Sequence, residues 1–409
     1  MKMPDLNFEN ANALYIHFPF CSSKCPYCDF YSVKYTKKWV DLYGAALFME
    51  LEELSQKVNN NLLQTIYLGG GTPSLMDSFF IEELIKRIKS RFRVVPNAEI
   101  TMEANPASIN QEKIIDLKRA GINRLSLGIQ SFNDHHLKFL GRKSSSKKNK
   151  ETLTLAAKYF NNYSADLIFA LPQQSLEEFK SDLEEMLRFD PPHISLYNLE
   201  IHENTPFYQR YSEGELKLPT EEIDAKMYEL ALEKLTAAGY QHYEISNFAR
   251  SGYRARHNYI YWLYQPYLAL GPGAASFDGS CRSQNIANLK QYLKFYNPQN
   301  LTFTDFINSN FKSRDSQNND QTQIKIRELN CLSQKEKMAE YSFLALRTED
   351  GLFFHKFYRK FKVEFKSIFK EEIKELKKNG LIKEANERIK LTARGKKVAN
   401  QVFLKFLLD

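Results

Sequence analysis

Short apolar runs alternate with amphipathic stretches through the first two hundred residues of this 409-residue chain, and this alternation restricts the fold more than any other feature. The apolar runs are bounded by turn residues and predict buried strands at 13–20, 64–68, 99–103, 124–130, 166–170 and 193–199. The stretches between them predict helices at 38–56, 79–91, 111–120, 150–160 and 176–188. Because parallel strands are joined by helical crossovers, the pattern predicts a parallel sheet.

Six strand–helix units are compatible with an open doubly wound sheet or with a partial βα barrel. The polar residues that could carry chemistry lie at or just past the C-terminal ends of successive predicted strands. A barrel brings these ends around one mouth, whereas an open sheet spreads them along an edge. We therefore predict an α/β fold, a partial (β/α)6 barrel.

The chain divides into three regions by composition. Residues 1–300 hold the predicted barrel, a helix at 220–238 and an aromatic-rich extension. Residues 301–330 include a run rich in Asn and Gln at 308–323, which predicts an exposed polar linker or insertion. Residues 331–409 predict helices at 333–345 and 366–378, then two short strands and a last helix. That order is typical of a winged-helix-like α+β domain.

The composition is that of an ordinary globular protein, with 43% hydrophobic and 26% charged residues. The N-terminus lacks the pattern of a secretory signal, and no apolar run is long enough to span a membrane. We expect a cytoplasmic protein without an integral membrane segment, for which transient membrane contact stays open. The net charge of +8 is concentrated in residues 355–409. We interpret this as a Lys-rich solvated face rather than a nucleic-acid surface, because basic and aromatic residues do not alternate there.

Three of the five cysteines, Cys21, Cys25 and Cys28, form a C-x3-C-x2-C pattern directly after the first predicted strand. Zinc sites usually close with two separated pairs of ligands, and no second pair follows here. Three thiolates suit a [4Fe–4S] cluster in which one iron has no protein ligand. The other two cysteines, Cys281 and Cys331, stand alone, and an odd total does not describe a disulfide framework.

This cysteine pattern, with Tyr27 before the third cysteine, resembles the cluster motif of the radical S-adenosylmethionine superfamily. The resemblance implies a partial βα barrel, in agreement with the strand pattern. It also implies that the open iron binds the amino and carboxylate groups of S-adenosylmethionine. The turn LGGGTP at 68–73 then resembles the contact to the methionine end of that cofactor, where consecutive glycines would allow close approach and expose N–H groups.

Segments along nearly the whole chain resemble one branch of that superfamily, the oxygen-independent coproporphyrinogen III oxidases and their HemW-type relatives. These segments are YIHFPFC, YLGGGTPS, EANP, GINRLSLGIQSFNDHHLKFLGR, DLIFALPQQ and YEISNFA. The resemblance implies S-adenosylmethionine contacts at Tyr15, Tyr27, Gly70, Gly71, Thr72, Glu103, Gln130, Arg142 and Asp166. For any one of Glu103, Gln130, Arg142 and Asp166 taken alone, ordinary strand-end capping or a surface ion pair is the favoured explanation. Lys143 departs from the branch, whose members often carry His after LGR.

Two features distinguish the chain from the oxidases of this branch. Phe30 stands where the oxidases carry a fourth cysteine, and the first strand begins by Ala13, without the oxidases' N-terminal extension. Both features match the HemW-type haem chaperones, so the resemblance implies haem as cargo and haem-accepting respiratory proteins as partners. The alternative is coproporphyrinogen III oxidation or another radical S-adenosylmethionine reaction. A nucleic-acid-binding regulator built on the winged helix is the least favoured.

The stretch RHNYIYW from Arg256 to Trp262 resembles the HNxxYW segment of the HemW-type group. Neutral imidazole is a common axial ligand of haem iron, and Tyr and Trp faces pack on porphyrins. His257 is therefore a candidate haem contact, with Arg254 and Arg256 as partners for propionates. A single His beside aromatics is more often a hydrogen-bonded core residue. His17, next to the cysteine loop, is expected to support the site.

Overall fold

The computed structural model describes residues 8, 10–58, 61–297, 299–308 and 327–407. The strands are β1 (Ala13–Phe18), β2 (Phe20–Cys21), β3 (Val33–Lys34), β4 (Leu62–Gly70), β5 (Arg93–Ala104), β6 (Arg124–Gln130), β7 (Tyr163–Phe169), β8 (His193–Asn198), β9 (Gln241–Glu244), β10 (Asn247–Ala249), β11 (Leu268–Leu270), β12 (Ala275–Phe277), β13 (Cys281–Asn285), β14 (Arg327–Cys331), β15 (Leu352–Phe353), β16 (Ile382–Ala385) and β17 (Arg388–Leu391). The helices are α1 (Lys37–Lys57), α2 (Ser78–Arg91), α3 (Gln111–Arg119), α4 (Asp134–Phe139), α5 (Ser146–Tyr159), α6 (Leu176–Phe189), α7 (Pro206–Ser212), α8 (Glu221–Ala237), α9 (Arg256–Trp262), α10 (Leu289–Tyr296), α11 (Phe303–Asn308), α12 (Gln334–Arg347), α13 (Phe354–Phe361), α14 (Phe365–Ile368), α15 (Lys370–Lys378), α16 (Ala393–Lys397) and α17 (Ala399–Leu404). Single 3-10 turns, Pro73–Leu75 and Pro106–Ser108, follow β4 and β5.

The main sheet has nine strands in the order β11-β1-β4-β5-β6-β7-β8-β10-β9. The strands from β11 to β8 are parallel, and β10 is antiparallel to both of its neighbours. The six strands predicted from the sequence are β1 and β4 to β8, which lie side by side in chain order. Within the described residues the edge strands β11 and β9 do not pair. The α/β fold with a partial barrel is therefore confirmed.

Alternate side chains of each barrel strand face opposite sides of the sheet, and the two sides differ in chemistry. The outer side packs its aliphatic residues under the helices in one continuous core, with Leu14, Ile16 and Ile66 fully buried. The inner positions are polar or aromatic, as in Tyr15, His17, Tyr67, Thr101, Glu103, Arg124, Ser126, Ser164 and Asp166. The barrel interior therefore offers a polar lining at the level where the strands end.

At both ends of the segment 301–330, where the sequence predicts an exposed linker, the structure has regular elements, α11 and β14. Helix α11 packs on the first barrel helices, with the Phe303 ring 4.8 Å from Phe80 and 5.3 Å from Phe48. Strand β14 pairs with β13, and this register places Cys331 opposite Cys281 in a disulfide of 2.04 Å. The expectation that these two cysteines stand alone is wrong, because strands far apart in sequence bring them together. Residues 309–326 of the expected linker lie outside the described residues.

The C-terminal part builds a second core around the three-stranded sheet β15-β17-β16. The expected helix at 366–378 is two helices, α14 and α15, with the fully buried Phe369 between them. This part contacts the barrel through Arg347, whose Nε lies 3.2 Å from Glu244 Oε2 and whose guanidinium lies 4.5 Å from the Trp262 ring centre. Among the described residues, none of the helices has the length and apolar character needed to cross a membrane.

Candidate functional site

Of the three cysteines in the C-x3-C-x2-C pattern, Cys21 ends β2, and Cys25 and Cys28 lie on the loop that follows it at the mouth of the barrel. Their thiols are free and half-buried. The Thr72 hydroxyl donates to Cys21 Sγ over 3.6 Å, and Arg142 Nη1 lies 4.0 Å from Cys25 Sγ. The Cys28 N–H donates to the Cys25 carbonyl over 3.1 Å and closes a turn. A hydroxyl donor therefore lies beside Cys21 and a cation beside Cys25, whereas burial raises the pKa of the Cys28 thiol to about 11.

Contacts from later elements hold this cysteine loop in place. Gly141 has a φ of 69°, and a Cβ there would lie 2.8 Å from Pro26 Cδ, so only glycine lets the loop pack this closely. The Phe207 N–H donates to the Pro26 carbonyl over 3.0 Å. Lys143, at the position where members of the branch often carry His, donates from Nζ to the Ser22 carbonyl over 3.4 Å.

The donor set of the loop fits an iron–sulfur cluster rather than a single metal ion. In the part of the chain that the structure describes, no three His, Cys, Asp or Glu side chains converge on one ion position. A structural zinc ion needs four ligands around one centre. In a [4Fe–4S] cluster each thiolate binds a different iron, so three thiols spread along one loop are suitable ligands.

The glycine turn after β4 is packed too tightly to carry side chains. A Cβ on Gly70, which has a φ of 110°, would lie 2.6 Å from His17 Cε1. A Cβ on Gly71 would lie 2.6 Å from the Phe20 carbonyl oxygen. The close approach expected of these glycines is thus found, but it is made to the protein's own residues.

The N–H groups of this turn already have partners inside the protein. Gly70 donates to Glu103 Oε2 over 3.0 Å, Gly71 to the Phe18 carbonyl over 2.7 Å and Thr72 to the Phe20 carbonyl over 2.8 Å. The expectation that the turn exposes these N–H groups to a carboxylate is wrong, because the neighbouring strand and Glu103 accept them.

Glu103, at the end of β5, is a buried carboxylate held by two donors. Its Oε1 accepts from the Tyr67 hydroxyl over 2.8 Å, and its Oε2 accepts from the Gly70 N–H. No Lys, Arg or His pairs with it among the described residues. Burial raises the pKa of Glu103 to about 7, and the two hydrogen bonds oppose the rise. A cation placed here would favour the ionised form.

Tyr15 and His17 form a hydrogen-bonded pair on the inner side of β1. The Tyr15 hydroxyl lies 3.0 Å from His17 Nδ1, and His17 Nε2 lies 2.8 Å from the Tyr31 carbonyl oxygen. Burial lowers the pKa of His17 and raises that of Tyr15. Both ring nitrogens of His17 have partners, so this residue supports the turn and the cysteine loop, as expected from the sequence.

Gln130 and Arg142 meet beside Gly128, where the pairing of β6 with β7 is irregular. Gln130 has a φ of 67°, a left-handed conformation that costs about 1–2 kcal/mol for a residue with a Cβ. Arg142 Nη2 donates to the Gly128 carbonyl over 2.7 Å. Gln130 Oε1 and Arg142 Nε are buried and have no hydrogen-bond partner among the described residues. Buried orphan groups of this kind indicate a ligand or an ordered water.

Asp166 and Tyr27 complete the set that the sequence predicts. Asp166 accepts from the hydroxyls of Ser126, over 3.1 Å, and Ser164, over 2.9 Å, and burial raises its pKa. Tyr27 lies beside Cys25 in the cysteine loop and packs on α7; burial raises its pKa. The structure thus gathers Tyr15, Tyr27, the glycine turn, Glu103, Gln130, Arg142 and Asp166 around one mouth.

His257 lies apart from this group, deep in the barrel near the start of β4. Its Nδ1 is 2.8 Å from Thr65 Oγ1, its Nε2 is 2.7 Å from the Tyr261 hydroxyl, and the ring is 1% exposed. Burial, and then the charge of Arg124, lower the pKa of His257 to about 3. Arg256 donates to the Asn97 carbonyl over 2.8 Å. The structure therefore gives His257 the contacts of a core residue rather than of a haem ligand.

Sequence reasoning missed Tyr67, Ser126 and Ser164, which hold the two predicted carboxylates. They occupy alternate positions of strands whose other positions are aliphatic. A polar residue at every second position of an otherwise buried strand is the signal that would have indicated a polar barrel interior.

Comparison with known proteins agrees with this fold and site. Residues 15–186 match the family model described as the radical SAM superfamily, and residues 332–398 match the HemN C-terminal domain. The fold aligns with the solved Escherichia coli coproporphyrinogen III oxidase HemN at a TM-score of 0.80 and 23% identity, over 98% of this chain and 91% of that one. The barrel and its cysteine loop define a radical S-adenosylmethionine protein, a class that implies a [4Fe–4S] cluster and S-adenosylmethionine.

Relatives with higher sequence identity identify the family within this class. The chain is 36% identical to a Lactococcus lactis protein named "Heme chaperone HemW", over 98% of both chains. It is 33% identical to the Bacillus subtilis protein of that name, over 96% of this chain and 98% of the relative. The Escherichia coli protein of that name is 38% identical over 67% of this chain and 70% of its own length. The chain belongs to the heme chaperone HemW family.

Proposed function

We propose that this chain is a haem chaperone that binds haem and delivers it to haem-dependent respiratory proteins. The similarity to a relative named "Heme chaperone HemW" over 98% of both chains carries the proposal. Phe30 supports it, because this side chain has no thiol where the oxidases are expected to carry a fourth cysteine. We propose that it acts in the cytoplasm.

Cys21, Cys25 and Cys28 are the ligands that we propose for the [4Fe–4S] cluster. A cluster bound there supplies single electrons to S-adenosylmethionine. The protein's own contribution is to orient and stabilise the thiolates. Thr72 donates a hydrogen bond to Cys21, and Arg142 places a positive charge beside Cys25.

We propose that S-adenosylmethionine binds at the barrel mouth, among Tyr15, Tyr27, Gly70, Gly71, Thr72, Glu103, Gln130, Arg142 and Asp166. Glu103 suits a cationic group, since burial raises its pKa to about 7 and a neighbouring cation would lower it. Gln130 Oε1 offers a free acceptor and Arg142 Nε a free donor. Asp166, oriented by two serine hydroxyls, suits the hydroxyl groups of a ribose.

One anaerobic preparation, reconstituted with iron and sulfide and divided in two, tests the proposal. Haem titrated into the first half should produce a saturable Soret band. The second half, incubated with coproporphyrinogen III, S-adenosylmethionine and a reductant, should form no decarboxylated product. Transfer is then measured as haem moving from the loaded protein to a haem-free respiratory protein. Decarboxylated product without stable haem binding would establish the oxidase function in place of the chaperone.

A further inference from the structure

All eight histidines of this chain lie among the described residues, and they differ in the hydrogen bonds and the solvent exposure of their rings. Both ring nitrogens have partners within the fold in His17, His193, His242 and His257. His136 is buried, 3.5 Å from Glu178. The rings of His135, His202 and His355 are those with access to solvent. A histidine that binds haem at the surface of this fold comes from this last group, because His136 is buried and the other four rings are hydrogen-bonded inside the protein.

His202 is the member of this group that lies beside the cysteine loop. It follows β8, and its Nδ1 is 3.7 Å from Asp29 Oδ2, between Cys28 and Phe30 in the chain. The His202 side chain is 40% exposed. The Phe30 side chain is 62% exposed, an unusual exposure for a large aromatic residue. An accessible imidazole and an accessible aromatic face thus flank the same short segment of the barrel mouth.

The surroundings of His202 suit an axial ligand of haem iron. A metal-binding histidine commonly directs its second ring nitrogen at a carboxylate, which orients the ring and raises its basicity. The Asp29 carboxylate lies on the Nδ1 side of the His202 ring, at 3.7 Å. The group nearest Nε2 is the carboxylate of Glu200, at 3.6 Å, which is 68% exposed and free to turn into solvent. Phe30 offers a face for the porphyrin, and Lys24 and Lys143 on and beside the loop offer cations for propionates.

The region around His257 is less suitable for a porphyrin. The aromatic cavity next to it, lined by Tyr261, Trp262 and Tyr267, has a volume of about 180 Å³. Ligand sites typically enclose about 300–1,000 Å³. A porphyrin would therefore have to separate the C-terminal part from the barrel, breaking the contacts of Arg347 with Glu244 and Trp262.

We propose that His202 is an axial ligand of the haem and that Phe30 packs on the porphyrin, so that the cargo binds at the barrel mouth beside the cysteine loop. This inference rests on the haem binding proposed above. It places the haem next to the proposed cluster rather than in the HNxxYW segment.

The test uses the full chain with its cluster reconstituted, titrated anaerobically with haemin. His202→Ala should shift the Soret band and weaken haem affinity by at least about 10–100-fold. That is the loss seen when a residue that hydrogen-bonds to a metal ligand is replaced, and loss of the ligand itself should cost no less. Added imidazole should restore the spectrum. His135→Ala and His355→Ala, matched changes at the other exposed histidines, should bind like the parent protein. His202→Gln, which keeps a polar side chain of similar size, serves as a second variant, and iron content checks that each variant retains its cluster.

The outcomes separate the inference from the proposed function. If the parent protein binds haem and both His202 variants leave the spectrum and affinity unchanged, the ligand assignment is wrong and the chaperone function stands. A spectrum that changes in His257→Ala but not in His202→Ala would move the haem to the HNxxYW segment. If the parent protein binds no haem, both the function and the ligand assignment fail.

Discussion

Replacement of Gly70 by alanine perturbs the contact between the glycine turn and the first strand. The alanine Cβ would lie 2.6 Å from His17 Cε1, on a backbone whose φ of 110° disfavours any side chain. The backbone strain costs about 1–2 kcal/mol. Moving the His17 ring also weakens its bonds with Tyr15 and Tyr31, at about 0.5–1.5 kcal/mol each. The sum is about 2–5 kcal/mol.

The expected loss of stability is measured as a shift in the thermal unfolding midpoint. For a chain of this length the unfolding entropy converts 2–5 kcal/mol into a fall of about 2–6 °C. Gly252→Ala is the matched control, because Gly252 has a φ of 87° and no atom within 4 Å of the added Cβ. Backbone strain alone predicts a fall of about 1–2 °C for this control.

Binding of S-adenosylmethionine provides a second measurement on the same pair of variants. Gly70→Ala should weaken binding, since Tyr15 and Glu103 both depend on this turn, while the cysteine loop still takes up iron. Gly252→Ala should bind the cofactor like the parent protein. Equal falls in the unfolding midpoint for the two variants would refute the argument, because the contact with His17 would then contribute nothing.

Three further predictions follow from the same structure. Replacing the three loop cysteines together by alanine should abolish iron and sulfide uptake and the cluster EPR signal, whereas replacing the disulfide-bonded pair by serine should leave them intact. Burial, and then the charge of Lys396, lower the pKa of His242 to about 4 in the folded protein, against about 6.5 in the unfolded chain. Between these two values only the unfolded chain binds the proton. The contribution of His242 to the free energy of unfolding is therefore full above pH 6.5 and falls by about 1.4 kcal/mol per pH unit below it. His242→Gln should flatten that slope in unfolding measured from pH 7 to pH 4.5, and an unchanged slope would contradict this assignment. Glu50→Ala should lower the free energy of unfolding by about 3–5 kcal/mol, because Glu50 is fully buried and a backbone N–H, an amide and tyrosine hydroxyls lose their acceptor. Glu53→Ala, which removes an exposed pair on the same helix, should change it by less than about 0.5 kcal/mol.

Local pattern was enough to predict the barrel strands and the loop that carries the thiols. Each strand is a short apolar run whose neighbours in the sheet are also its neighbours in chain order, so the order could be inferred from the alternation alone. The spacing of Cys21, Cys25 and Cys28 lies within eight consecutive residues, and its donor chemistry does not depend on distant segments. Glu103 and Asp166 could be located at the mouth because parallel strands end on the same side.

Long-range contacts decided the features that the sequence left open or predicted wrongly. The contact of His257 with Thr65, 192 positions away in the chain, could not be predicted from the sequence around either residue. The disulfide between Cys281 and Cys331 likewise joins residues that are 50 positions apart. The N–H groups of the glycine turn donate to Glu103 and to the first two strands, which are also distant in the chain. Hydrophobic periodicity reports only whether a residue faces the core. Which partner meets a buried polar group depends on strand register and loop packing, and these are set by the whole tertiary structure.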